Sequence, residues 1–167
     1  DKNLELRMEK EPNLSDYSES KLLKFNYAGN AEKVKIAYKP SVIEYLNDYP
    51  QTDYDVYFSA PLSEESKRIL IRELAPLIEG KTTTEAVNIL LRFVQTSFEY
   101  QTDDIHFGRE KPLFPEETLF YPFSDCEDRS VLFSYLVQNL LGLKVIGIKF
   151  PGHVATAINI SGPVKGD

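Results

Sequence analysis

The sequence predicts an α+β fold in which helices pack on an antiparallel sheet. Three observations carry this. Apolar residues recur at helical spacing over three long stretches, near residues 63–80, 84–98 and 126–142. Shorter strand-like runs, alternating or rich in β-branched residues, lie at 34–38, 54–58, 143–150 and 153–160. Hydrophobic residues make up 42% and charged residues 27% of the 167, which is the balance of a chain that can bury a core.

The first 60 residues are the hardest to read. Asn26-Tyr27-Ala28-Gly29-Asn30 has turn composition, and Val34-Lys35-Ile36-Ala37-Tyr38 alternates as a strand does. Pro40 and Ser41 can open a short helix through Leu46. Tyr54-Asp55-Val56-Tyr57-Phe58 reads as a second strand, closed by Pro61. Residues 1–62 are therefore read as a β-containing N-terminal extension, followed by a core over 63–167.

From Ser63 the signals sharpen. Ser63 is placed as an N-cap, with Glu64 and Glu65 in the first turn. Ile69, Leu70, Leu74, Leu77 and Ile78 follow on one face, and Gly80 stops the helix. Thr84-Glu85-Ala86 opens a second helix whose apolar stripe runs from Ala86 to Phe98. Residues 101–122 form a long connection with Pro112, Pro115 and Pro122, of a length that is often functional. Its aromatics Phe114, Phe120 and Tyr121, with Phe123, either wall a groove or cap the core. A third helix starts beside Cys126 and ends at Gly142, followed by a strand to Phe150, the turn Pro151-Gly152 and a strand from His153.

Charge and composition exclude several functions. At a net charge of −7 the chain repels polyanions, and its basic residues form no stripe, so nucleic acid is not expected. The most apolar stretch, Leu136 to Ile148, is broken by Gln138, Asn139, Gly142 and Lys144, so no membrane span is expected. His106 with Asp103 and Asp104 lacks tight ligand spacing, so neither a metal nor another cofactor is expected. The chain starts at Asp1 rather than Met, without a signal peptide, as a processed product would. That keeps an exported or cell-envelope origin open.

The single cysteine rules out an internal disulfide among these residues. A lone cysteine is a buried filler, an incidental surface thiol or a nucleophile, and its position decides between them. Cys126 lies where a helix should start, with Ser124 or Asp125 as the cap. The positive helix end favours the reactive thiolate, and free N–H groups there can hold an oxyanion. Glu127 and Asp128 oppose the thiolate, so a cationic imidazole is needed to offset them. His153 follows one helix and one strand later, where the chain has returned to its starting level. Glu127 and Asp128 themselves are read as helix-start charges, with Asp128 or Arg129 in a structural ion pair.

The run Asp125-Cys126-Glu127-Asp128-Arg129-Ser130-Val131-Leu132-Phe133, then Leu140-Leu141-Gly142-Leu143, then Gly152-His153-Val154, resembles the core of transglutaminase-like domains. Phe93-Val94-Gln95-Thr96-Ser97-Phe98-Glu99-Tyr100 and Pro115-Glu116-Glu117-Thr118-Leu119 fit the same pattern, which covers roughly residues 63–167. The resemblance implies a cysteine-proteinase-like α+β core with a Cys–His–Asp triad, Cys126 the nucleophile and His153 its base. It places the Asp on the strand after the histidine strand. Here that acid is Asp167 or lies beyond the chain end, in which case the core is truncated at its C-terminus. Without an orienting acid the imidazole tautomer is not fixed, and the rate falls by orders of magnitude.

The implied activity is cysteine-dependent acyl transfer on a peptide or protein amide. Hydrolysis by a peptidase or amidase is preferred over transamidation, since no clear calcium loop or accessory domain is visible. An inactive binding or scaffolding module is the alternative from another class. Arylamine acyl transfer on the same triad is weaker, because those enzymes carry further domains.

Overall fold

The computed structural model describes residues 17–160. The observed architecture is α+β, in agreement with the expectation at that level. The chain opens with a hairpin of β1 (Glu19–Tyr27) and β2 (Asn30–Tyr38), antiparallel in continuous register from Glu19 opposite Tyr38 to Tyr27 opposite Asn30. Its two turn residues, Ala28 and Gly29, both have positive φ, which suits the right-handed twist of a tight hairpin. One face carries Leu23, Phe25, Val34 and Ile36, all buried. The strand expected at 34–38 is therefore the inner part of a longer one. Its partner β1 went unread because adjacent Leu22 and Leu23 obscure the alternation.

Two short helices follow, α1 (Pro40–Asn47) and α2 (Tyr54–Ser59). The second corrects the strand expected at 54–58. Six residues are too few to display a helical period, and Tyr57 is drawn inward against Phe114 and Val131. The two expected helices then appear as α3 (Glu64–Ile78) and α4 (Thr83–Thr96). Ser63 sits at the N-cap position of α3, yet its hydroxyl bonds Glu116 and Ser66 instead of a helix N–H. Thr82 caps α4 in a reciprocal box with Glu85.

The expected connection over 101–122 is not one loop. It follows β3 (Glu99–Tyr100), contains α5 (Asp103–Phe107) and α6 (Pro115–Phe120), and leads into β4 (Phe123–Ser124), which pairs parallel with β3. Buried carboxylates hold it. Glu116 accepts from the N–H groups of Lys39 (3.0 Å) and Ser63 (2.7 Å) and from the hydroxyls of Ser63 (2.8 Å) and Ser66 (2.9 Å). Glu117 pairs with buried Lys111 and accepts from the N–H of Phe114.

The last three elements are α7 (Cys126–Leu141), β5 (Val145–Phe150) and β6 (His153–Ile158). Helix α7 touches α2, α4, α6, β5 and β6, and is buried along most of its length. Gly142 ends it in the left-handed conformation, as the sequence indicates. Strands β5 and β6 form an antiparallel hairpin on α7. A side chain at Gly147 of β5 would lie 2.8 Å from the Phe58 ring of α2, so any larger residue there would have to displace that ring. One core cluster joins the β1–β2 hairpin, α3, α4 and α7, so residues before and after position 62 bury each other. Among the described residues, no helix is long and apolar enough to cross a membrane.

Candidate active site

Asp125 caps α7 and fixes where the thiol stands. Its carboxylate accepts from the Asp128 N–H at 3.4 Å, and the Asp128 carboxylate accepts from the Asp125 N–H at 3.2 Å. Asp128 also accepts from the Leu113 N–H at 2.7 Å, which ties the preceding loop to the helix. Arg129 donates to the Phe98 carbonyl and the Ser124 hydroxyl, both at 3.0 Å, and lies over the Tyr100 ring. Among the described residues, Asp128 and Arg129 make bonds to backbone and hydroxyl groups in place of the expected ion pair.

Cys126 is half-buried at the first position of α7. The Ser130 hydroxyl, one turn on, lies 2.7 Å from the Cys126 carbonyl and 3.0 Å from the Val154 carbonyl of β6. It stitches the thiol's helix to the histidine's strand. The Val154 N–H points at the sulfur and favours its thiolate. His153 is the residue just before, exposed at the strand start, with its ring stacked on Phe150 at 6.4 Å. A cavity of about 510 Å³ is lined by both Cys126 and His153, with Tyr54, Tyr100 and Phe150 as its aromatic walls. A second of about 340 Å³ lies toward Leu91, Val94 and Phe133 of α4 and α7, and Cys126 and His153 line that one too. The thiol therefore stands where a polar groove and an apolar groove meet.

The thiol is not paired with the imidazole. Cys126 Sγ donates to Glu127 Oε2 at 2.7 Å, and among the described residues no hydrogen bond joins it to His153. Burial, followed by the Glu127 bond, pushes the thiol up to about 11, against the pull of the Val154 N–H. The nearby charges of Glu127 and Asp125 add to the effect of burial. Asp125 receives the N–H groups of Glu127 and Asp128, whereas no acceptor takes the Cys126 N–H among the described residues. That amide is the free donor beside the sulfur.

Asp103, Asp125 and Asp128 bring one oxygen each within 4.8 Å of one another, all buried. Burial raises Asp103 to about 6 and, with the nearby Glu127 charge, Asp125 to about 6. Asp128 is raised well above the usual carboxylate range by its burial. Each already receives backbone N–H groups, Asp103 from Lys111 at 2.6 Å. Among the described residues, these three alone bring metal-ligand atoms this close together. His106 is not among them, because its ring packs on Phe107 and Phe123.

The aromatics Phe114, Phe120, Tyr121 and Phe123 do not line either cavity at the thiol. Phe114 packs on Tyr49 and Tyr57, Phe120 on Tyr38, and Tyr121 and Phe123 on each other and Phe107, so they cap the core. Of the groove aromatics, Tyr100 ends a run that fits the family pattern, whereas Tyr54 and Phe150 stand in stretches read only as strands, and nothing in the sequence brings the three to one cavity. Ser130 did carry a signal: four residues after Cys126, it must share the thiol's helix face. Asp167, considered as the triad acid, lies outside the described residues. The chain matches no protein-family model, no curated protein and no solved structure. The transglutaminase-like resemblance therefore rests on the chain's own motifs.

Proposed function

We propose that this chain carries a transglutaminase-like thiol site for acyl transfer from a peptide or protein amide, with Cys126 as nucleophile and His153 as its base. The observation that carries this is the shared groove: one cavity is lined by a helix-start cysteine and a strand-start histidine, with the Val154 N–H at the sulfur. In the proposed step the sulfur attacks the amide carbonyl and its proton passes to His153. The Cys126 N–H steadies the oxyanion. The C–N bond then breaks, with the proton returned to the leaving amine. Water opens the thioester, giving a carboxylate and restoring the thiol. Glu127 must first release the thiol, because the two are bonded in this conformation.

The second reading, a binding module without turnover, is favoured by that same thiol–carboxylate bond and by the raised thiol. Acylation by p-nitrophenyl acetate separates the two, with intact mass reporting the adduct on the only cysteine of the chain. The acyl-transfer reading expects an acetyl adduct absent from Cys126→Ala. It should turn over in the wild type and accumulate in His153→Ala, with deacylation slowed about 100-fold or more. An adduct equally persistent in both proteins, or none, would overturn it in favour of the binding module.

A further inference from the structure

We propose that Glu127 is a positioning residue that latches the Cys126 thiol in its protonated state, so that the resting site is held back from His153. The inference rests on the acyl-transfer reading for its purpose, but its geometry stands apart from it.

Three observations carry it. The first is direct contact: Cys126 Sγ donates its proton to Glu127 Oε2 at 2.7 Å, and an ionised carboxylate accepts such a bond only from the thiol form. The second is burial. Glu127 is 7% exposed, so its charge is poorly screened and the bond is not a surface accident. The third is the surroundings. The cavities beside the sulfur are lined by Asp125 and Glu127 at its helix start, by Tyr54, Tyr100 and His153, and by the further acids Asp53, Asp103, Asp104 and Glu110, with Arg129 and Lys149 as the cations. Arg129 is turned to the Phe98 carbonyl, and Lys149 lies over Tyr54, so neither cation neutralises Glu127. The raised thiol accords with this arrangement. A helix end that would otherwise activate a cysteine is thus countered by the next residue. The latch opens when the carboxylate takes another donor, such as an N–H of a bound amide, and the sulfur is freed to turn toward the histidine.

The test is iodoacetamide alkylation of Cys126 from pH 5 to 10, followed by intact mass, in the wild type, Glu127→Gln and Glu127→Ala. At pH 7.5 both variants should alkylate about tenfold faster than the wild type, with the midpoint about one pH unit lower. A purely structural role would lower Tm without moving that midpoint. Variant rates equal to the wild type, or slower, would overturn the latch. Should the variants fail to fold, the wild type supplies its own arm. Its native thiol should alkylate at pH 7.5 at least about tenfold more slowly than the same chain in denaturant. Native and denatured rates that coincide would equally overturn it. Faster alkylation in Glu127→Gln together with failed acyl turnover removes the acyl-transfer reading and keeps the latch. The reverse pattern removes only the latch.

Discussion

Asp103 is a buried carboxylate close to Asp125 and Asp128, and burial outweighs the relief it gets from the Lys111 N–H and charge. Its pKa in the folded chain is about 6, above the unfolded value near 4. The folded state therefore binds its proton more tightly than the unfolded state does. Its contribution to stability is fully present below about pH 4 and is lost as pH rises through about 6. Asp125 acts in the same direction and over the same window. Asp103→Asn keeps an acceptor for the Lys111 N–H and removes the buried charge. At pH 7.5 it should raise stability by on the order of 1 kcal/mol, a few degrees in Tm, and it should change little at pH 4. Melting curves across this range check it, and a variant less stable at pH 7.5 contradicts it. The motif residues at this scale were legible: helix-start logic led to Cys126 and Asp125, and chain order led to His153. The direction of the thiol proton was not, because choosing Glu127 over His153 depends on side-chain rotamers and not on spacing.

Between elements, the decisive bonds run from carboxylates to loops. Glu116 of α6 receives four donors, two of them backbone N–H groups at the starts of α1 and α3. Glu116→Ala leaves those donors without an acceptor in a buried place. It should cost roughly 3 kcal/mol, or about 10 °C in Tm, with Glu116→Gln losing less. Thermal unfolding of the two variants checks it, and a shift of only one or two degrees would show that water replaces the carboxylate. None of this is visible in the sequence, where Glu116 follows a proline and precedes another glutamate like any first-turn acid. The long helices α3, α4 and α7 were readable because their stripes repeat over 14 to 16 residues. Helices α2, α5 and α6 have six, five and six residues, fewer than two turns, so their type is decided by what they pack against.

For the whole molecule, one core spans the boundary drawn at residue 62. Phe25 of β1 sits edge-on to Phe93 of α4, with ring centroids 5.5 Å apart, and both are buried. Composition gave no hint of this, since two segments far apart in sequence share a core only through tertiary packing. The distribution of loop carboxylates has a further consequence at this scale. The amides of Lys39, Ser63, Lys111, Leu113 and Phe114 lie outside regular ladders, yet each donates to a carboxylate. In deuterated buffer, loop amides ordinarily exchange early. These five should persist on the timescale of the core helices, each released with its own acid. A residue-resolved exchange map would thus show islands of slow loop amides, and Glu116→Ala should erase only those at Lys39 and Ser63.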